Sequence, residues 1–465
     1  MDLIQQVCQT PQYQANPIAL KTPNRAYTWQ QLDEQVDAIA LIMQTQGVVA
    51  GSVIALVSKN NVEALLLYLA SLRLGALCAL MPPQPKMAMQ QKLDIIQADF
   101  IWSGDIDNHE LAELPQTRLH LEHVGRNTRL MASSHTFHAE QLASIVFTSG
   151  STGVPKAVVH AAKHHLASAK GLTEKFEFTN RDTWLLSLPM YHVSGLSIIW
   201  RWLAKRACLA IGSGQLEQDI SVVTHASLVP IQLQRLFDSG IPLPLKRVLL
   251  GGSHIPMPLI EQAQQKGIEC WLGYGMTESA STVIAKPVDG SPSAGWLLPY
   301  RKIKLENGRI YVAGDTLAAG YLAHGQLTPL VSEEQPWFDT KDLAQRYVQD
   351  GKPDEFIIVG RADNQFISGG ENIHCEEIES ALLKYPDIKQ ALVIPVEDTQ
   401  YGYRPVAFID AESPLDTQAY QAFLQQYLQK FKCPERYYLL PQELMNTGIK
   451  ISRAALKAYY QQHLS

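Results

Sequence analysis

The chain has 465 residues, which is too long for one ordinary core, so its length predicts two or three domains. Hydrophobic residues make up 46% of it and charged residues 18%, proportions that are typical of globular enzymes. The formal net charge of −6 supplies no basic field and argues against a nucleic-acid partner. The six cysteines are scattered without a CxxC pair, which predicts buried, reduced thiols and a cytoplasmic protein.

The longest apolar stretch, residues 62–81, approaches the length that spans a bilayer. Arg73 lies in its middle and Gly75 interrupts it, so the pattern predicts a buried helix followed by a short strand. The first residues, MDLIQQVCQTPQYQ, lack the basic region and apolar core of a signal peptide. We therefore expect no membrane span.

The N-terminal half alternates helical and strand patterns. Thr28 is a candidate N-cap for an amphipathic helix whose apolar residues recur from Leu32 to Met43. Short apolar runs at residues 52–57 and 100–102 predict strands, and a helix is predicted over residues 63–74. This alternation predicts an α/β fold in which a parallel sheet has helices on both faces.

Residues 147–158 (FTSGSTGVPKAV) follow an apolar, strand-like run. Such a loop can wrap a polyphosphate, because glycines let backbone N–H groups approach the oxygens, hydroxyls donate to them and a cation offsets their charge. The spacing is not that of the common P-loop, and the alternative of a surface linker is disfavoured by the preceding buried strand. The candidate phosphate-binding residues are Thr148, Ser149, Gly150, Ser151, Thr152, Gly153 and Lys156.

Residues 273–282 (GYGMTESAST) form a second predicted loop. Tyr274 can stack on a base, Thr277 can donate to a phosphate, and Glu278 can hold a divalent cation that bridges phosphates. The two loops together predict a nucleotide site, to which the second contributes Gly273, Tyr274, Gly275, Met276 and Thr277.

Five more polar residues are candidates with a structural alternative for each. His192 follows a strand, and a lone histidine is usually structural. Arg201 interrupts an apolar helical run between two tryptophans, so it is either a snorkelling surface charge or a buried anion receptor. Asp342 and Arg361, near predicted loops, suit a nucleotide's hydroxyls and phosphates or a structural salt bridge. Lys450, in a turn before the last helix, is otherwise an ordinary surface charge.

The sequence pattern of the C-terminal third differs from that of the N-terminal half. From residue 295 short strands and turns predict a small antiparallel β unit. The polar GRADN turn after strand-like EFIIVG predicts a boundary between a large N-terminal part, residues 1–362, and a small C-terminal part, residues 363–465, with helices and strands of its own.

The chain contains the two loops, the Asp342 and GRAD segments and the terminal lysine turn in a particular order. With these motifs in this order it resembles the adenylate-forming superfamily of acyl-CoA synthetases, luciferases and peptide-synthetase adenylation domains. The resemblance covers nearly the whole chain. It implies a large N-terminal domain of layered α/β sheets with a small β unit, and a small, mobile C-terminal α+β domain. It also implies a two-step reaction: a carboxylate attacks the α-phosphate of Mg²⁺-ATP to give an acyl-adenylate and pyrophosphate, and the thiol of coenzyme A then displaces AMP.

The resemblance implies a role for each candidate residue. The glycine-rich loop and Lys156 would hold the leaving pyrophosphate, and Lys450 would bridge the carboxylate and the α-phosphate as they meet. The other roles would be Tyr274 beside the adenine, Thr277 at the α-phosphate, Glu278 on the metal, Asp342 on the ribose hydroxyls and Arg361 near the ribose and phosphates.

The C-terminal part would carry the catalytic lysine and rotate between the half-reactions about a hinge, whose position Asp363 matches. The usual superfamily ending places glycine directly before that lysine, whereas Ile449 intervenes here. A narrower ligase family has the same GIK order, which favours Lys450 over Lys457.

The segments LLSLPMYHVSG, IIWRWL and HASLVPIQL narrow the resemblance to that ligase family, which acts in menaquinone biosynthesis and implies 2-succinylbenzoate as the acid. This substrate carries two carboxylates and only the succinyl one is activated, so the site needs an anion receptor for the other. Arg201 is the candidate receptor, with Ser227 as a second contact and His192 near the acyl group or at the thiol channel.

Three alternatives stay open. The chain could be a general aromatic or medium-chain acid–CoA ligase, an adenylation domain that loads a carrier protein, or a non-catalytic adenylate-binding protein. Lys156, Glu278 and Lys450 together argue against the last, because a binder does not need all three. The expected partners are 2-succinylbenzoate, ATP and coenzyme A, and a homodimer is plausible.

Overall fold

The structure is a computed structural model. It describes Ile4 and residues 18–104, 114–121, 136–148, 155–251, 255–351, 353–368, 371–398, 401–411, 414–445 and 451–464. Within these ranges helices and strands alternate through the N-terminal half, as the sequence predicts, and strands predominate from residue 269 to residue 361. The expected α/β class is therefore confirmed.

Strands and helices are numbered here in chain order through the described ranges. The strands are β1 (Ile18–Lys21), β2 (Ala26–Thr28), β3 (Val53–Val57), β4 (Leu77–Met81), β5 (Phe100–Ser103), β6 (Thr117–Arg118), β7 (Leu142–Thr148), β8 (Lys156–Ala161), β9 (Thr183–Leu185), β10 (Cys208–Ala210), β11 (His225–Leu228), β12 (Arg247–Leu250), β13 (Glu269–Met276), β14 (Ser281–Pro287), β15 (Trp296–Leu297), β16 (Arg301–Glu306), β17 (Arg309–Gly314), β18 (Gly320–Ala323), β19 (Gln326–Pro329), β20 (Phe338–Tyr347), β21 (Glu355–Arg361), β22 (Gln365–Ser368), β23 (Glu371–His374), β24 (Ile388–Asp398), β25 (Gly402–Ala411) and β26 (Arg436–Leu439). The α-helices are α1 (Trp29–Thr45), α2 (Val62–Leu74), α3 (Lys86–Ile96), α4 (Ala162–Thr173), α5 (Val193–Lys205), α6 (Leu216–Asp219), α7 (Pro230–Asp238), α8 (Met257–Gln265), α9 (Cys375–Leu382), α10 (Thr417–Leu424), α11 (Gln442–Met445) and α12 (Arg453–His463).

The described strands form three sheets. The first sheet has the order β19-β18-β8-β7-β4-β3-β5-β6, and the second has the order β16-β17-β20-β21-β15-β14-β13-β12-β11-β9-β10-β1-β2. The third contains β22 to β26. One apolar cluster combines side chains of the first two sheets, such as Leu56 and Trp271, with those of helices α2 and α5. This shared core holds the two large sheets together.

The predicted start of the first helix is confirmed. Thr28 caps α1 by accepting a hydrogen bond from the Gln31 main-chain amide, and Oε1 of Gln31 accepts one from the Thr28 main-chain amide. This reciprocal arrangement satisfies two N-terminal donors that the helix itself leaves unpaired.

The apolar stretch at residues 62–81 folds as helix α2 and strand β4, as predicted. Its basic residue, Arg73, is buried and forms ion pairs with Asp33 and Asp37 of α1. Among the described residues, no helix combines the length and the apolar character needed to cross a bilayer.

The cysteines in the described ranges are free and buried, as the sequence predicts; they are Cys78, Cys208, Cys270, Cys375 and Cys433. The sixth, Cys8, lies outside the described residues.

The second predicted loop is wrong in part, because residues 273–276 continue strand β13. A Cβ atom on Gly275 would lie 1.9 Å from the carbonyl oxygen of Ser281 in the neighbouring strand β14. The glycine therefore permits a close backbone approach at a bulge in the hairpin and does not mark a loop.

The short strands predicted after residue 295 are present and antiparallel. They extend the second sheet, since β15 pairs with β14, while β18 joins the first sheet beside β8. Asp342 and Arg361 lie within β20 and at the end of β21, where the sequence analysis expected positions near loops. Their strands are hydrogen bonded to each other, which brings the two residues directly opposite.

Candidate active site

The glycine-rich segment connects two antiparallel strands of the first sheet. Thr148 ends β7, Lys156 begins β8, and the two residues are paired across the hairpin. The pairing holds the two ends of the loop together at the edge of a buried strand. The five other predicted phosphate contacts lie outside the described residues; they are Ser149, Gly150, Ser151, Thr152 and Gly153.

Lys156 and Glu278 both contact one aromatic residue, Tyr321. The Lys156 ammonium is 5.1 Å from the centroid of the Tyr321 ring. The Tyr321 hydroxyl donates a hydrogen bond of 3.0 Å to Oε1 of Glu278. The structure thus brings the predicted phosphate-binding lysine and the predicted metal ligand together around a residue that the sequence analysis did not select.

Glu278 belongs to a short 3₁₀ turn, Thr277–Ser279, between β13 and β14. The main-chain carbonyl of Thr277 accepts a hydrogen bond of 2.8 Å from Nε2 of buried His160 in β8. The main-chain carbonyl of Glu278 accepts one of 2.8 Å from the Ala318 amide. Both contacts come from segments of the first sheet or next to it, so this turn of the second sheet is fixed against the first.

Tyr274, Asp342 and Arg361 form a second group. The Tyr274 hydroxyl donates to Oδ2 of Asp342 at 2.5 Å, and Nη1 of Arg361 donates to Oδ1 at 3.1 Å. Burial and the nearby Asp342 carboxylate raise the pKa of Tyr274, so its hydroxyl stays protonated and donates. The structural ion pair considered from the sequence is therefore present.

Arg201 is buried, which excludes the snorkelling alternative. Only 1% of its surface is exposed, and its guanidinium lies 5.1 Å from the centroid of the Trp184 ring. Nη2 is 3.5 Å from Oγ of Ser281, at the outer limit of a hydrogen bond, and Nε has no partner among the described residues. Burial, together with the neighbouring charge of Arg301, lowers the pKa of Arg201 to about 9. The guanidinium is thus a buried cation without a compensating anion in the described ranges.

Arg201 borders a cavity of about 240 Å³ between α5 and the carboxyl ends of β11 and β12. Ser227 also lines it, and its buried hydroxyl has no hydrogen-bond partner among the described residues. The remaining lining includes Gly273, Gly275 and Met276. The cavity therefore presents donors to an anion on an otherwise largely apolar wall.

His192 lies beside this cavity without lining it. It is the N-cap residue of α5, and the next two residues, Val193 and Ser194, border the cavity. Burial lowers the pKa of His192, with Lys92 adding to the effect, so the imidazole is neutral.

The C-terminal candidates are Asp363 and Lys450, with Lys457 as the alternative to Lys450. Asp363 lies in a 3₁₀ turn, Ala362–Asn364, between β21 and β22. Lys450 lies outside the described residues, whereas Lys457 is exposed on helix α12. The turn at Asp363 directly precedes the third sheet.

Glu278 fits a magnesium ion that is bound jointly with a nucleotide. No group of three or more histidine, cysteine or acidic residues that could hold a metal occurs in the described ranges. Mg²⁺ commonly binds through one or two carboxylates, waters and substrate phosphates and does not need a complete protein cage. A lone carboxylate beside Lys156 matches that mode of binding.

Two residues of this site, Ser281 and Tyr321, were not predicted from the sequence. Ser281, which contacts Arg201, lies within the GYGMTESAST segment, and the hydroxyl-rich composition of that segment was the available signal. Tyr321 lies over 160 residues from Lys156 along the chain, and only the pairing of β18 with β8 brings them together.

The sequence of the chain matches a known family over most of its length. Residues 6–322 match the AMP-binding enzyme family and residues 377–449 match the C-terminal domain of AMP-binding enzymes, so the chain belongs to this family. The protein is an enzyme that ligates an acid to a thiol with formation of AMP, and its fold is that of the adenylate-forming enzymes.

Particular relatives narrow the comparison. The 2-succinylbenzoate–CoA ligase of Escherichia coli (strain K12) is 40% identical over 452 residues, which cover 97% of each chain. The ligase of the same name from Haemophilus influenzae (strain ATCC 51907 / DSM 11121 / KW20 / Rd) is 39% identical and covers 95% of each chain. The solved structure of an arginine-to-lysine variant of E. coli MenE with bound OSB-AMS is 37% identical, with a TM-score of 0.85 and coverage of 99% of this chain and 98% of that one.

Proposed function

We propose that the protein joins 2-succinylbenzoate to coenzyme A through an acyl-adenylate, giving 2-succinylbenzoyl-CoA, AMP and pyrophosphate in menaquinone biosynthesis. The observation that carries the choice of acid is Arg201, a buried guanidinium at a cavity with no ion pair among the described residues. An acid with a second carboxylate supplies the missing charge. The 40% identity to a ligase of that name supports the same choice.

Two other buried cations in the described ranges differ from Arg201 because they are paired, whereas buried Arg301 lacks an ion pair but donates hydrogen bonds to Pro299 and Ser168. Arg73 is paired with two aspartates, and Lys286 with Asp289 and Glu355. An unpaired buried charge is costly to the free protein, so an anionic ligand that pairs with Arg201 would offset that cost. The unpartnered hydroxyl of Ser227 on the same cavity supplies a second donor for the carboxylate.

In the first half-reaction, the residues of the chain position two anions and stabilise their charge. Lys156 and the loop from Thr148 to Gly153 hold the pyrophosphate that leaves, and Thr277 donates to the α-phosphate. Tyr274 and the residues around it, Gly273, Gly275 and Met276, border the adenine and the acyl group. Asp342 and Arg361 hold the ribose. A divalent cation on Glu278 would offset charge on the phosphates when bound.

Lys450 is proposed to contact the carboxylate and the α-phosphate, which lowers the repulsion between them. His192 and Ser227 complete the acyl side, with His192 near the acyl group or the thiol channel. These roles are supported by the family match and by the grouping of the described residues.

The second half-reaction requires a different position of the C-terminal part, because the thiol must reach the acyl carbon and Lys450 blocks it while it contacts the carboxylate. We propose that residues 363–465 form the small mobile domain and residues 1–362 the large one, with Asp363 as the hinge. The third sheet begins directly after Asp363, which supports this division.

The decisive experiment measures coenzyme A-dependent AMP release with 2-succinylbenzoate, benzoate and a series of fatty acids. We expect strong preference for 2-succinylbenzoate and formation of its thioester. Equal rates with benzoate would instead indicate a general aromatic acid ligase. Adenylate formation that ignores free coenzyme A would indicate loading of a carrier protein.

We also propose that the enzyme works in the cytoplasm, where its buried free thiols stay reduced, and that it forms a homodimer. Subcellular fractionation tests the first proposal, and sedimentation at several protein concentrations tests the second.

A further inference from the structure

We propose that Tyr321 is a positioning residue that holds Lys156 and Glu278 apart, so that the lysine can bind phosphate and the glutamate can bind a divalent cation. The inference rests on the proposed function in assuming that Mg²⁺-ATP binds between these residues. It assigns a role to a residue that was not among the predicted site residues.

Strand pairing fixes where Tyr321 lies. Its strand β18 is antiparallel to β8, and Tyr321 is paired with Val158, two residues after Lys156. Residues two apart on a strand point to the same face, so the side chains of Val158 and Lys156 share a face of the sheet. The Tyr321 ring accordingly lies 5.1 Å from the Lys156 ammonium.

Strand β18 and the residues just before it contact Glu278 at two points. The Ala318 amide donates to the main-chain carbonyl of Glu278 at 2.8 Å, and the Tyr321 hydroxyl donates to Oε1 of its side chain at 3.0 Å. These two contacts fix both the backbone position and the direction of the carboxylate.

The contacts of Tyr321 preserve both charges. Neither Lys156 nor Glu278 forms an ion pair within 4.0 Å with another described residue. A direct pair between them would neutralise both and remove them from substrate binding. The aromatic face attracts the ammonium without using its N–H groups, and the phenol uses only one carboxylate oxygen.

The phenol is suited to this position because it stays neutral. A phenol hydroxyl is an uncharged hydrogen-bond donor in the physiological range. A cationic residue here would compete for the carboxylate, and an acidic one would compete for the lysine.

The test separates the two contacts of Tyr321. Tyr321→Phe removes the hydroxyl and keeps the ring over Lys156, whereas Tyr321→Leu removes both. Mn²⁺ binding is followed by electron paramagnetic resonance in the presence of α,β-methylene-ATP and without any acid substrate. Binding of metal-free pyrophosphate is followed by calorimetry.

We expect Tyr321→Phe to weaken Mn²⁺ binding about tenfold, as for loss of a hydrogen bond to a charged group, and to leave pyrophosphate binding unchanged. Tyr321→Leu should weaken both. The matched control is Tyr300→Phe, because Tyr300 donates to Glu174 at 2.9 Å and lies 5.7 Å below Lys170, in the same type of arrangement away from the proposed site.

Unchanged Mn²⁺ affinity in Tyr321→Phe would overturn the proposal, as would an equal loss in Tyr300→Phe. A wild-type protein that does not bind Mn²⁺ with the nucleotide would overturn both this proposal and the proposed function. A wild-type protein that binds it but rejects 2-succinylbenzoate would overturn the choice of acid alone. Thermal unfolding of Tyr321→Phe verifies that the variant is folded.

Discussion

The imidazole of His160 donates a hydrogen bond of 2.8 Å to the main-chain carbonyl of Thr277, across the boundary between the first and the second sheet. Because a carbonyl only accepts, Nε2 carries the proton and Nδ1 does not. The ring is fully buried, and its Nδ1 has no partner among the described residues. His160 therefore acts on the turn that carries Thr277 and Glu278 through this one contact.

Replacing His160 should weaken binding of the nucleotide and leave binding of the acid unchanged. We expect His160→Leu to leave the Thr277 carbonyl unpaired, at a cost of about 1–3 kcal/mol, and to raise the KM for Mg²⁺-ATP about tenfold. His160→Gln keeps a donor and should stay within about threefold of the wild type. Steady-state kinetics with each substrate varied provide the measurement. A loss that is equal for ATP and for the acid would contradict this assignment.

Arg201 should strengthen binding of the acid and lower the free energy of unfolding of the free protein. Arg201→Met removes a buried charge that has no ion pair in the described ranges, so the free energy of unfolding should stay unchanged or rise. The catalytic efficiency with 2-succinylbenzoate should fall about a hundredfold, or about 3 kcal/mol, with the KM for ATP unchanged. Arg201→Lys should recover part of the loss. Urea unfolding and steady-state kinetics measure the two effects.

The control for Arg201→Met is Arg73→Met, which removes a buried cation that is paired with Asp33 and Asp37. This change should destabilise the protein, because it leaves two aspartates without their partner. If Arg201→Met destabilises the protein as much as Arg73→Met does, or leaves catalytic efficiency unchanged, Arg201 is not the anion receptor.

The two half-reactions should be separable by mutation in the C-terminal part. Lys450→Ala is expected to abolish most adenylation and to leave thioester formation from supplied acyl-adenylate largely intact. Asp363→Pro should do the reverse, since proline fixes φ and restricts the preceding residue, which hinders rotation. Single-turnover assays of each step provide the measurement. Equal loss of both steps in Lys450→Ala would refute its role, and a surviving second step in Asp363→Pro would mean that the hinge lies elsewhere.

Buried histidines should make the protein sensitive to mild acid. Burial lowers the pKa of His160 to about 3 and that of His164 and His225 to about 4. Below an unfolded-state pKa of about 6.5 the unfolded chain binds more protons than the native one, so stability falls as the pH drops from about 6.5 to about 4.

Each such histidine contributes a slope of up to about 1.4 kcal/mol per pH unit in that window. Urea unfolding between pH 7.5 and pH 4.5 measures the total slope, and His160→Gln should reduce it by one histidine's share. A stability that does not change over this range would contradict the prediction.

The sequence predicted the parts of the fold that depend on local pattern. The capping residue Thr28 and the helix and strand at residues 62–81 follow from side-chain chemistry within a few neighbours. The extension of β13 through Gly273 and Gly275 was missed, because glycine is depleted in strands and here serves a close approach of Ser281. Only the partner strand reveals that use.

The same limit applies to the candidate site. Arg201 between two tryptophans was equally compatible with the surface and the core, and burial could be decided only from the packing of α5. Tyr321 carried no local signal, since its two contacts come from residues 43 positions and more away along the chain. Motifs therefore identified the charged groups, and tertiary structure identified what orients them.

The groups that would hold one nucleotide are divided between two sheets. Thr148, Lys156 and Tyr321 belong to the first sheet, whereas Tyr274 and Asp342 belong to the second. A bound nucleotide would therefore contact both sheets and link them. A ligand that binds only the native state raises the unfolding temperature. Amide exchange in β8 and in the turn Thr277–Ser279, which are joined by the hydrogen bond from His160 to Thr277, should then slow together when ATP is added.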